Sequence, residues 1–380
     1  MKRTLKVLCV LALMIGVGFA LGKNVSAKNI TLSPSNEKED GKYYSIDYIS
    51  IRNALNEIGE AGGGTLTLKS GTYNVSNTLC VGSNTTIKFQ KKVVLNKIFG
   101  KAASSTLFQL ISFDKVFDKN AVSKYKGEHN IHFKGNGTVF NMNNKNKGST
   151  MSIAVVMANN ANVSFEGITF EKVKWGHLVE MDGCKSVSFK KCTFRNMADN
   201  KKHNKEAINL DTNDKETGGF SQEWSKPDKT PNTQITIANC EFKNLVRAVG
   251  THRYSDGKYH TKIKFINNKC DKVKAPIGML NWRKVTVTNN TFSNGKANKR
   301  YNYNFLMAGV KGITFTKNNL IKMKSKETIK HYPKYKIGGD KYKATKSKIT
   351  KKEIKAMKKN KAKKGTKKKF IVNKKTYKFK

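Results

Sequence analysis

The sequence predicts an all-β chain, a single-stranded right-handed parallel β-helix (a solenoid) with an N-terminal capping helix. The first observation behind this is a recurring strand pattern: Val163-Ser164-Phe165, Val187-Ser188-Phe189, Ile235-Thr236-Ile237, Ile263-Lys264-Phe265, Val285-Thr286-Val287 and Ile313-Thr314-Phe315, spaced by 24, 48, 28, 22 and 28 residues. The spacing of 48 is one coil plus an insertion. The second is a further alternating pair after most of them: Ile168 and Phe170, Cys192 and Phe194, Cys240 and Phe242, Asn290 and Phe292. Period-two alternation of β-branched and aromatic residues reads as half-buried strand. Repetition at a fixed period means units that bury their inner face only by stacking. The third is the Asn between strands (Asn239, Asn267, Asn268, Asn289, Asn290, Asn318, Asn319), which suits left-handed corners. The Leu spacing of leucine-rich repeats is missing, and propeller blades need about 40 residues.

Upstream, Tyr48 to Gly59 is amphipathic, with Ile51, Leu55 and Ile58 on one face. A helix here covers the open end of the first coil, whose unpaired strand edge invites aggregation. Ala61-Gly62-Gly63-Gly64-Thr65-Leu66-Thr67-Leu68, Ser70-Gly71-Thr72-Tyr73 and Ser83-Asn84-Thr85-Thr86-Ile87 follow. This succession resembles the N-terminal cap of the pectin-lyase-like superfamily, which includes polygalacturonase-type hydrolases, pectate lyases and phage tailspikes. The resemblance covers roughly residues 45 to 325 and implies the fold. It leaves the reaction open, because one fold hosts many activities. The paired-Asp, Gly-His-Gly and Arg-x-Lys signatures of polygalacturonases are absent from the sequence.

The first residues read as an export signal. Met1 to Lys6 is a basic n-region, Val7 to Leu21 an apolar core, and Val25-Ser26-Ala27 offers small residues at a cleavage site. The apolar run is short for a membrane span of about 20 residues, and no second one follows. The expected organisation is therefore a signal peptide (1–27), an N-terminal extension (28–47), the β-helix (48–325) and a Lys-rich tail (326–380). A secreted protein, retained at the cell wall, is implied.

The net charge is +48. From Ile321 onward, 25 lysines stand against Glu327, Asp340 and Glu353, so the tail holds nearly half of it. A field of this sign attracts polyanions. Export makes nucleic acid an unsuitable partner and points instead to acidic polysaccharide or anionic wall polymer. The tail reads as largely disordered, or as a small wall-binding element, since low hydrophobicity with high net charge opposes folding. Its last residues, Lys369 to Lys380, alternate as a short hairpin would. Of six cysteines, five follow the signal, and an odd number cannot all pair. Cys192 and Cys240 occupy equivalent inward positions, as buried thiols do.

A third strand in each coil carries the chemistry. With Val179 and Met181, Ile208 and Leu210, Val249 and Thr251, and Ile277 and Met279 inward, the outward residues form columns. His177, Glu206 and Arg247 make one; Glu180, Asn209, Gly250 and Gly278 the next; Asp182, Asp211 and His252 the third. Like charges across strands destabilise a sheet, so gathered acids on a basic chain call for a function or a compensating cation. Insertions at 212–232 and 253–259 rise beside the row as expected cleft walls, with Trp224, Tyr254 and Tyr259, and with Trp175 and Trp282 at the margins.

Three chemistries fit. Glycoside hydrolysis of an acidic glycan needs two carboxyls, about 5 Å apart for retention or about 6.5–9.5 Å for inversion. Asp182 with Asp211 suits the former and Glu206 with Asp211 the latter. The catalytic candidates are Asp211, Asp182, Glu206, His252 and Arg253, and the substrate-binding ones His177, Glu180, Asn209, Arg247, Trp224, Tyr254 and Trp282. In a polysaccharide lyase, Ca²⁺ on Glu180, Asp182 and Asp211 would neutralise a uronate while Arg253, His252 or Tyr254 takes the proton. A non-catalytic glycan-binding surface protein uses the same cleft with no proton transfer.

Overall fold

Val, Ile and Phe at alternate positions point inward from mostly short strands, and each coil lays its strands on those of the coil before. The computed structural model describes residues 26–35, 44–99, 104–143, 152–197, 205–215, 218–220, 222–251, 258–296, 302–335 and 345–380. An 18-stranded sheet supplies two faces of the solenoid and a nine-stranded sheet the third. All the pairings within both sheets are parallel. The predicted repeats align in register: Val163, Val187, Ile235, Ile263, Val285 and Ile313 stack as neighbours. Phe165 stacks on Phe189 at 5.0 Å and 4°, and Phe170 on Phe194 at 4.9 Å and 3°. Earlier coils extend the stack: Ile131 lies beside Val163, and the Phe165 column continues through Phe133, Ile87, Leu66 and Ile30. The strand Lys28–Leu32 thus belongs to the sheet rather than to an extension.

Corners divide the work between adjacent asparagines. Asn239, Asn267 and Asn289 take positive φ, as expected of a residue that tolerates the left-handed region. Their neighbours in sequence do not; they turn inward instead. Asn268, Asn290, Asn318 and Asn360 form a buried ladder in which each side-chain oxygen accepts the backbone N–H of the coil before, at 2.8 to 3.0 Å. Each amide group also donates to a carbonyl, that of Asn290 to Phe265 at 2.9 Å. In earlier coils Cys192 and Cys240 hold this same position. All five described cysteines are free and buried.

The helix α1 (Ile46–Glu60) begins at Ser45, whose hydroxyl accepts the N–H of Tyr48, and its face of Ile51, Leu55 and Ile58 joins the main core. No described helix is long and apolar enough to cross a membrane. Residues 1–25, most of the expected signal peptide, lie outside the described residues.

The far end corrects the expectation of a largely disordered tail. The strand Glu327–Tyr332 adds another rung, with Ile329 beside Phe305. A second helix, α2 (Lys351–Met357), opens with a capping box between Thr350 and Glu353. Lys361–Lys363 pairs with Asn319–Ile321, and the expected hairpin forms between Lys369–Val372 and Lys375–Lys378. Ile349, Ile354, Met357, Phe370, Val372 and Phe379 enter the main core. Mean composition hid these few apolar residues because they are diluted by lysines on the outer side. Placed at strand and helix spacing, they suffice to seal the last coil.

Candidate functional site

The third face carries the predicted row in the predicted register. Val179 pairs with Ile208, Glu180 with Asn209, Met181 with Leu210 and Asp182 with Asp211. Glu206 lies beside Arg247, Asn209 beside Gly250, and Gly250 beside Gly278. The apolar members fix this register, since a one-residue slip would turn Val179 and Met181 to the outside. His252, Arg253 and Tyr254 lie outside the described residues.

The row is not an open surface. Asp182 is 1 % exposed, Glu180 5 %, Glu206 0 %, Asp211 0 % and His177 1 %. Arg247 donates from Nη1 to Glu206 Oε1 at 2.7 Å and reaches the Tyr303 hydroxyl at 3.4 Å. Its guanidinium lies flat across the glycine column: a Cβ on Gly278 would stand 2.6 Å from Nη1, and one on Gly250 2.7 Å from Cδ. His177 Nδ1 contacts the Glu206 carbonyl at 2.8 Å and stands 4.0 Å from its carboxylate. This part of the row is a neutralised, buried ion pair.

The other part is acidic. Asn209 donates to Asp211 Oδ2 at 3.1 Å, and Thr212 to Asp214 at 3.0 Å. Neither oxygen of Asp182 has a hydrogen-bond partner among the described residues. Burial first, then the nearby Glu180, Asp211 and Asp214, pushes the Asp182 carboxyl well above the usual range. His260, unforeseen from sequence, sits close by. Burial lowers it to about 4, against the pull of Asp211, so it is neutral and its Nδ1 accepts the N–H of Asn232 at 3.0 Å. Among the described residues no three His, Cys, Asp or Glu side chains are arranged to hold a metal ion.

The aromatic walls are also corrected. Trp224 and Trp282 are each 1 % exposed and offer no face to a sugar. Trp224 donates to Gln109 at 3.1 Å and packs with Phe220, Ile111, Val122, Ile153 and Val156. The insertion after Asp211 thus lies down over the sheet instead of rising beside it. The reason is legible in Ile153–Ala158, an apolar strand buried on both sides that needs an outer cover. Trp282 donates to Thr251 at 2.8 Å. Tyr259 is covered by the Arg283 guanidinium, 3.3 Å from its ring centre.

Open concavities lie toward the two ends of the solenoid. At the C-terminal cap a cavity of about 1020 Å³ is lined by Lys311, Lys346, Lys348, Lys352 and Lys374. Its one carboxylate, Glu353, is engaged by the N–H groups of Ile313 and Thr350 at 2.6 Å each. Clefts lined by one sign of charge focus the field on a counter-ion.

Stacked three-faced coils behind a capping helix define a right-handed parallel β-helix. No family model matches the sequence. The chain is 25 % identical over 270 residues to the plasmin and fibronectin-binding protein A of Streptococcus pneumoniae, a stretch that is 65 % of this chain and 37 % of that protein. It therefore spans well under half of that relative's length. The crystal structure of PfbA, a surface adhesin of Streptococcus pneumoniae, superposes with a TM-score of 0.61 at 22 % identity, covering 78 % of this chain and 80 % of that one. The A-module of an Azotobacter vinelandii mannuronan C-5 epimerase gives 0.50 at 14 % identity, covering 77 % of each. These likenesses in structure are of fold.

Proposed function

We propose that this chain is a non-catalytic binding protein of the cell exterior that holds an anionic polysaccharide through its basic C-terminal cap. The observation that carries the reading is the burial of the acid row. With Asp182, Glu206 and Asp211 at 0–1 % exposure, no sugar carbon can reach the carboxyls that a glycosidase or lyase would use. The accessible chemistry is instead the lysine-lined cavity between the last coils and the cap. The similarity to a surface adhesin, itself described as binding plasmin and fibronectin, supports the binding class and a surface location.

Co-sedimentation with insoluble anionic and neutral polysaccharides tests this. Retention on the anionic polymer should fall between about 0.1 M and about 1 M salt, as the screening length drops from about 10 Å to about 3 Å. Replacing Lys348, Lys352 and Lys374 by Gln should weaken it at low salt. Retention on the neutral polymer alone, or indifference to the three substitutions, would sink the assignment. One observation favours a glycosidase as the second reading: the Asp182 carboxyl is raised well above the usual range beside Asp211, a pairing that can separate an acid from a base.

A further inference from the structure

We infer a second, uncharged glycan site at the opposite end, in the groove between α1 and the segment 113–117. Its volume is about 620 Å³, in the range of small-molecule sites. Phe117 is 83 % exposed, Tyr44 51 % and Phe113 43 %; these are three of the five large apolar side chains exposed among the described residues, and all three line this groove. Such a gathering of exposed rings marks a contact surface.

The rings are held for use. Phe113 and Phe117 meet edge to face at 6.0 Å, and Tyr44 leans on Tyr48 at 5.6 Å. The base of the segment is tied by Glu128, which accepts from Lys115 at 2.9 Å, from Ser112 at 3.0 Å and from the Ser83 N–H at 2.8 Å. Amides make the floor: Trp224 donates to Gln109 Oε1 and Gln109 Nε2 to Gln222, each at 3.1 Å, so the amide orientation is fixed. Rings above an oriented amide floor match a sugar, which has an apolar C–H face and a rim of hydroxyls.

Charge decides which sugar. On a chain of +48, the formally charged groups lining this groove are Arg52 and Glu223, which cancel. A polyanion gains nothing here that it would not gain on the rest of the surface, whereas an uncharged oligosaccharide loses no solvation of charge on entry. A peptide partner would leave the amide floor less well matched.

The test titrates the full-length mature protein with a panel of uncharged oligosaccharides (gluco-, xylo-, manno- and chito-oligomers) by calorimetry and indole fluorescence. Trp224, bonded to the floor, should report binding. At least one oligomer should bind with an affinity that is unchanged in high salt and unchanged by the three cap substitutions. Phe117→Ala should lower it at least tenfold while melting with the parent, since this ring is almost wholly exposed. Failure of every uncharged oligomer to bind at millimolar concentration overturns the inference, as does binding that survives both Phe117→Ala and Phe113→Ala. A dimer in sedimentation that Phe117→Ala dissociates would assign the groove to a second copy and also overturn it. Because the panel is uncharged, either result leaves the cap assignment standing.

Discussion

Replacing Arg247 by Met removes the guanidinium that neutralises Glu206 and leaves a carboxylate at 0 % exposure without its ion-pair partner. At the observed 2.7 Å contact, Coulomb attraction in a medium of effective dielectric near 20 is of order 4 kcal/mol or more. Measured losses on breaking buried pairs run about 3–5 kcal/mol, because the remaining charge keeps its desolvation penalty. Glu206→Met strands the guanidinium in the same way and should cost a similar amount. The double variant removes both charges and leaves apolar groups of comparable length over the glycine column. It should recover most of the loss, since apolar replacement of a whole buried pair is often neutral or stabilising. The assay is equilibrium urea unfolding of all four proteins, followed by circular dichroism and by indole fluorescence. Trp282, held by Thr251, reports the neighbouring coils. Single variants within about 0.5 kcal/mol of the parent, as surface changes give, would mean that Glu206 is hydrated and open. That outcome would refute the description of this row as sealed.

Other outcomes follow from single groups. Lys97 is 0 % exposed, donates to the Ser76 carbonyl at 2.5 Å and is lowered by burial to about 7. The unfolded chain therefore binds a proton that the folded one has lost between pH 7 and about 10.4, so stability rises with pH across that window, by up to about 1.4 kcal/mol per unit. Lys97→Met should flatten this contribution, measured as the parent-minus-variant difference in urea midpoints. Asn290→Ala strands the Asn268 N–H and the Phe265 carbonyl, each worth about 1–3 kcal/mol when buried, and faster amide exchange should be confined to coils around the ladder. The five described cysteines, all buried, should resist a thiol reagent in the native state and react in denaturant; rapid native labelling of Cys184 or Cys270 would contradict their burial.

The fold was legible because its signal is periodic. Six strand pairs announced the register, and the columns Glu180–Asn209–Gly250 and Asp182–Asp211 followed once Val179 and Met181 were placed inside. Exposure was less legible, because what covers a face is set by an insertion whose path carries no period. Trp224 looked like a wall residue until the unbroken apolar run of Ile153–Ala158 is read as a strand needing cover on both sides. The cap failed for a different reason. Net charge describes a segment's average, whereas Ile354, Met357, Phe370 and Val372 fold it by position. The corner asparagines show a finer limit: Asn267 and Asn268 are chemically identical, and only the geometry of the turn decides which one takes positive φ and which turns inward to bond the coil before.

Turnover measures the central claim most directly. The protein is incubated with acidic and neutral polysaccharides, and both new reducing ends and the ultraviolet absorbance of unsaturated uronates are followed beside polymer retention. The account predicts retention on acidic polymer with no products of either kind, and retention unaltered by Asp211→Asn. Sustained product formation that Asp211→Asn abolishes in a protein that still folds would contradict it and restore the buried row to a catalytic role.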